Sequence, residues 1–305
     1  MTAVVERLPE LVRCEVDGVP CTAYPRLTGP VEEDDEVIVN VQARELGLGS
    51  GGFDVLYANL TRGLDLPAEA GAHVMKLPYT PLQHAVLHAE ETDQLVRGLA
   101  GMPVVCCSLH SQVAPVCAGI GEGVRTAYVQ VPGGALPVSL SGAVRALKAR
   151  GLLETAVAVG ACIDGDVHCV TTASALVWAK AAGFDAAVCA IGPGIVGTGT
   201  FLGHGGVAAA DAANATIALG GTPVLAVRMS DADERERHRD VSHHAMAVIE
   251  QSLGDLTVGA EATFEELAAD SAGLPLSHMG RGPDDDPAFF VMAYAAGRVV
   301  RDLVG

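Results

Sequence analysis

Apolar positions follow two regimes along the chain. In the first third they come in short runs, at 11–16, 19–24, 36–41 and 53–59, separated by turn signals such as Asp17-Gly18 and the acidic corner Glu32-Glu33-Asp34-Asp35. Runs of this length and spacing predict β-strands, and several together predict a small barrel or sandwich. The stretch His73-Val74-Met75-Lys76-Leu77 is expected to close it. A glycine cluster, Leu46-Gly47-Leu48-Gly49-Ser50-Gly51-Gly52, reads as a wide turn within this part.

Beyond Pro81 the period becomes helical, and from Pro103 continuous apolar runs alternate with helical segments. Strands are predicted at 104–109, 126–131, 155–161, 186–191, 224–229 and 256–258, and helices at 111–118, 138–150, 172–182, 207–219 and 242–253. Asp284-Asp285-Asp286-Pro287 opens a terminal helix expected to serve packing. Continuous apolar strands alternating with helices predict a parallel sheet covered on both faces. The fold class is therefore α/β: a small β-barrel or sandwich domain at 1–80, then a Rossmann-like, doubly wound, mostly parallel sheet at 81–305.

Composition narrows the chemistry. A chain of 305 residues, half of them hydrophobic, can bury a large core. Its formal net charge of −18 argues against general affinity for nucleic acid or anionic lipid. An anionic small molecule needs only a few local donors and stays admissible. No apolar run approaches the ~20 residues of a membrane helix, and no signal peptide is read at the start. With eight cysteines mostly inside apolar runs, a cytoplasmic, reduced protein is expected. A homodimer is left open.

In a doubly wound sheet, ligands collect beyond the carboxyl ends of the strands. The longest candidate there is the glycine stretch 191–206. Its dense glycines, with a helix to follow, can turn backbone amides toward an oxyanion, so Gly194, Gly197, Thr198, Gly199 and Thr200 are candidate ligand-binding residues. The segment 192–197 has G-x-G-x-x-G spacing, but no acidic residue follows at the distance a ribose requires, so a nicotinamide site is disfavoured. No cofactor is assigned.

Among side chains, His110 and Ser111 end the first sheet strand and are candidate catalytic groups. Ser242-His243-His244 opens a helix, and His243 or His244 is expected to assist. Adjacent histidines lack the i, i+4 spacing with which a helix face chelates a metal. His238 nearby would make a cluster conceivable, yet no Cys-x-x-Cys or His-Glu-x-x-His occurs, and no metal is assigned. Asp164, past a strand end, and Lys76, a cation at the predicted domain junction, complete the ligand-binding candidates.

Several phrases coincide with one family. The segments 40–53 and 73–83, Leu109-His110-Ser111, Gly192 through Thr200, Arg237-His238-Arg239 and Val241-Ser242-His243-His244 resemble the bacterial domain-of-unknown-function family 3866. The resemblance runs from about residue 11 to 258 and implies no reaction. Pro78 departs from it, standing where the family pattern has an arginine. The leading expectation is an enzyme that holds a phosphate- or carboxylate-bearing substrate between the two domains, on the glycine stretch and Lys76. His110 would be general acid or base. A ligand sensor using the same cleft and a scaffold with tight glycine loops are the alternatives.

Overall fold

The computed structural model describes residues 2–48, 52–66, 68–259 and 261–305. Gly49-Ser50-Gly51 of the first glycine cluster lies outside the described residues. The chain divides into two compact units, Met1–Leu87 and His88–Gly305.

The first unit is built on β1 (Thr2–Leu8), β2 (Leu11–Val16), β3 (Val19–Ala23), β4 (Val37–Asn40) and β5 (Asp54–Asn59), in the order β1-β2-β3-β5-β4. The single turns α1 (Pro25–Thr28) and α2 (Gln42–Glu45) lie in its connections. Asp17 and Gly18 take φ of 50° and 78°, the left-handed pair that a two-residue hairpin between β2 and β3 requires. Among the described residues of this unit, only β3 and β5 pair in parallel. The predicted barrel or sandwich is corrected to an open, mixed sheet, with β1 and β4 as its edges and one small core that includes Val12, Cys14, Cys21, Ala23, Val31 and Leu56. The expected closing strand instead forms a two-stranded ribbon, β6 (Val74–Lys76) with β7 (His84–Val86). Leu77 and Tyr79, at φ of 47° and 61°, turn the chain back on itself there.

The second unit begins with the short α3 (Ala89–Thr92). Its seven-stranded sheet is entirely parallel: β8 (Pro103–Cys107), β9 (Thr126–Val131), β10 (Thr155–Val159), β11 (Val167–Cys169), β12 (Ala186–Ile191), β13 (Thr222–Ala226) and, beyond the hairpin of β14 (Met229–Ser230) with β15 (Asp240–Val241), β16 (Thr257–Val258). All residues of β8, β9 and β12 are buried, as continuous apolar strands between two helical layers must be. Alternation sorts the side chains by face. Val104, Cys106, Val129, Cys189 and Leu225 pack with α6 (Thr172–Ala181), α7 (Ala208–Ala218) and α8 (His243–Gln251). Val105, Cys107, Tyr128, Val188 and Val224 pack with α4 (Val113–Ile120), α5 (Gly142–Ala149) and the terminal α10 (Pro287–Val304). Another helix, α9 (Phe264–Asp270), precedes α10. All eight cysteines are buried free thiols. Among the described residues, no helix is long and apolar enough to cross a membrane.

The strand order β11-β10-β9-β12-β8-β13-β16 fixes where a crevice can open. From β8 the chain passes into α4 on one face of the sheet. From its two neighbours, β12 and β13, it passes to α7 and α8 on the other. Connections that diverge from adjacent strands make a topological switch point at the carboxyl rim.

Candidate functional site

Three loops meet at this rim and are tied by named bonds. Gln112, after β8, donates to the carbonyl of Ala226 at the tip of β13 (2.7 Å) and accepts from the Leu109 amide (3.0 Å). His110 reaches the carbonyl of Ile191 at the tip of β12 (3.2 Å). Ser242 N donates to the carbonyl of Arg228, which fastens the start of α8 beside the end of β13.

Around that junction four imidazoles gather. Ser242 caps α8, accepting from His244 N and bonding His238 Nδ1 at 2.8 Å. His243 and His244 therefore occupy the first turn. His204, from the end of the glycine stretch, stacks on His244 with ring centroids 3.8 Å apart, and His238 stands edge-on to both His243 and His244. Burial lowers the pKa of each below the usual histidine value, with neighbouring positive charge adding to it, and drives His238 down to about 3. They are neutral bases at pH 7.

The positive charge comes from arginines. Arg228, almost wholly buried, donates to His244 Nδ1 (2.8 Å) and meets Asp233 Oδ2 at 3.4 Å. Asp233 also takes Arg235 and Arg281. Burial opposes its ionisation, but hydrogen bonds from the side chain and the amide of Arg235 win and hold its carboxyl well below the usual range. Arg281 bridges on to Asp286, which accepts from Ser230 (2.7 Å). Arg237 is exposed and makes no ion pair among the described residues; its guanidinium lies 3.9 Å from where a Cβ on Gly199 would stand. In a chain with 37 acidic and 19 basic residues, four arginines here face two buried carboxylates.

On the β8 side, Ser111 Oγ lies 3.1 Å from Nδ1 of His278, whose ring stacks flat on Phe289. Burial, with Arg228 and Arg281 nearby, pushes this imidazole down to about 3. Six buried side-chain atoms in this neighbourhood have no hydrogen-bond partner: His204 Nδ1, Arg228 Nε, His243 Nε2, His278 Nε2, Arg281 Nη2 and Asp286 Oδ1. An unpaired buried polar atom costs about 1–3 kcal/mol, so such a concentration calls for water, an ion or a ligand there.

The family model described as Protein of unknown function (DUF3866) matches residues 21–261. The chain belongs to that family. No curated protein and no solved structure matches it. The matched span contains β8 through α8, and with them His204, Arg228, Arg237 and the paired histidines; His278, Arg281 and Asp286 lie beyond it.

Of the residues picked from sequence, the structure brings His243, His244 and Ser111 to this rim and gives others different work. Both ring nitrogens of His110 are engaged: Nδ1 with Ile191 O, and Nε2 with Ser141 Oγ at 2.7 Å. In the glycine stretch the amides of Val196, Thr198 and Gly205 donate to backbone carbonyls, and those of Thr200 and Gly203 to threonine hydroxyls. Of the residues expected to cradle an anion, Thr198 and Thr200 therefore spend their amides within the loop, while Gly194, Gly197 and Gly199 lie exposed beside them. Other glycines of the stretch answer to close approach: a Cβ on Gly205 would stand 1.9 Å from Gly133 O, and one on Gly192 2.0 Å from Ala135 O. Asp164 accepts from Ser139 Oγ (2.7 Å) at a φ of 61°. Lys76 belongs to the first unit and is 1 % exposed, so it is no open cation. A hollow of about 600 Å³ along Val4–Arg7, Glu32, Glu33 and Arg62 also lies in that unit and gathers no comparable chemistry.

Missed by the sequence reading were Arg228, Asp233, His278, Arg281 and Asp286. The Arg235-Glu236-Arg237-His238-Arg239 run was the one usable signal, and Glu234 and Glu236 diluted its charge.

Proposed function

We propose that the chain is an enzyme acting on an anionic small molecule, phosphate- or carboxylate-bearing, held at the carboxyl rim of the parallel sheet by Arg228, Arg237 and Arg281. The observation that carries this reading is Arg228: a buried guanidinium whose Nε has no acceptor and whose nearest carboxylate is 3.4 Å away. A planar guanidinium whose Nε donor is unspent suits an oxyanion, and its low-dielectric setting strengthens that bond. Arg237, at the surface, would meet the ligand first.

The proton-handling pair in this reading is Ser111 with His278, in place of His110. Their 3.1 Å contact has the span over which an imidazole accepts a hydroxyl proton. Arg228 and Arg281 depress the imidazole in the free protein, and an anion docked on them would cancel part of that charge and make it a stronger base. Substrate and base would thus be coupled.

A panel of phosphorylated and carboxylated metabolites, read by thermal shift, tests the proposal. A member at 100 times its Kd adds about 2.7 kcal/mol to stability. Arg228→Gln and Arg237→Ala are expected to remove or weaken that gain. Ser111→Ala should keep it while turnover of the same compound stops. Binding without turnover in the unmodified protein would leave a sensor instead, and a stabilisation indifferent to both arginine changes would end the reading.

A further inference from the structure

The arginines account for an anion but leave two buried imidazole nitrogens unexplained. His204 donates its Nε2–H to the carbonyl of Phe201 at 2.9 Å, so its proton is fixed on Nε2 and Nδ1 carries a lone pair. That Nδ1 is buried and has no partner, in a residue 7 % exposed. A backbone carbonyl holding the far nitrogen is the usual way a protein sets an imidazole as a metal ligand. His243 Nε2 is likewise buried and unpartnered. Ligand nitrogens of His204, His243 and His244 all lie within 4.8 Å of one another.

An oxyanion fits the Nδ1 lone pair of His204 poorly, because the two repel. A cation that accepts lone pairs fits it well. We propose that His204, His243 and His244 form a binding site for a first-row transition ion of the zinc type, with the fourth position open. Imidazole is the ligand this class of ion favours, and three protein ligands with one open position is the arrangement of catalytic rather than structural zinc. A tetrahedral set needs ligand atoms roughly 3.3 Å apart, from a metal–nitrogen distance of about 2.0–2.1 Å. The three rings therefore draw together on loading.

His244 is the contested ligand. Arg228 Nη1 donates to its Nδ1 at 2.8 Å, and an arginine cannot accept in return. Metal loading must loosen that bond, and Asp233 Oδ2, 3.4 Å from Arg228 Nη2, stands ready to take the guanidinium more closely. Two consequences follow with opposite signs. Removing Arg228 frees His244 and withdraws a positive charge, so the metal binds more tightly. Anion binding, on the reading given above, weakens with the same change. The metal proposal does not depend on the anion proposal, and one variant separates them.

The test uses the full chain, stripped with a chelator and titrated with Zn2+ by calorimetry and with Co2+ by visible absorption. We expect one equivalent, an intense four-coordinate Co2+ spectrum, and at least a 100-fold loss of Zn2+ affinity in His243→Gln and in His204→Ala. Arg228→Gln should bind Zn2+ as tightly as the unmodified protein or more so. His204 is buried, so His243→Gln, at a half-exposed ring, and the Co2+ spectrum of the unmodified chain stand as readouts independent of how its variant folds. No binding up to millimolar Zn2+, a six-coordinate Co2+ spectrum, or an affinity unchanged in His243→Gln would overturn the site.

Discussion

His110 illustrates how a residue picked for its position can turn out to hold the frame. Its Nδ1–H donates to Ile191 O, and Nε2 accepts from Ser141, whose oxygen in turn caps α5 by accepting from Val144 N. A strand tip, a neighbouring strand tip and a helix start are joined through one neutral ring. Desolvation pushes its pKa down to about 4 from an ordinary value near 6.5, and the Ile191 bond opposes this only in part. Between those two values the unfolded chain binds more protons than the folded one, so stability falls as pH falls through the window. A shift of that size corresponds to something on the order of 3 kcal/mol at neutral pH, lost by about pH 4. The expected outcome is a His110 ring resonance that titrates near pH 4 by NMR. In His110→Gln, the unfolding free energy should depend less steeply on pH between 4 and 6.5. The sequence placed this histidine at the rim and offered it as general acid or base, because the partners that engage its ring lie 31 and 81 residues away.

Among elements, α10 shows the same division between what pattern reveals and what contact decides. Asp286-Pro287 and the apolar spacing behind it mark the helix, and it spans Pro287–Val304. Pattern does not show that α10 crosses α4 backbone to backbone. A Cβ on Gly297 would stand 2.0 Å from Val116 O, and one on Gly119 2.2 Å from Tyr294 O, closer than any side chain could tolerate without parting the helices. Parting them also moves the start of α10, where Asp286 takes Ser230 and Arg281 beside the arginine cluster. Gly297→Ala is expected to cost at least 1–3 kcal/mol, the usual range for overpacking, measured by urea unfolding. A loss within error of zero would mean the helices separate freely. The strands were legible for a simpler reason: β8, β9 and β12 are buried on both faces, so their composition alone separates them from the helices. Strand β11 was missed because Val167-His168-Cys169 is too short and too polar to register.

On the scale of the whole molecule, a net charge of −18 conceals its own exception. The arginines that face Asp233 come from the end of β13, the loop before α8 and the turn before α10, so a linear reading meets them one at a time among acids. The parallel sheet, by contrast, is specified by local runs and needs no knowledge of partners. That sheet, its two helical layers and every residue of the arginine and histidine clusters fall within His88–Gly305, which has its own cores on both faces. A unit with a complete core is expected to fold by itself. Expressed alone, 88–305 should unfold in one cooperative transition. It should also retain the Zn2+ affinity of the full chain and the thermal shift with whichever anion stabilises it. Loss of anion binding with Zn2+ binding intact would show that residues 1–87 complete the anion site. Loss of the cooperative transition would show instead that the parallel sheet depends on the first unit for its stability, and calorimetry of 88–305 beside the full chain distinguishes these outcomes.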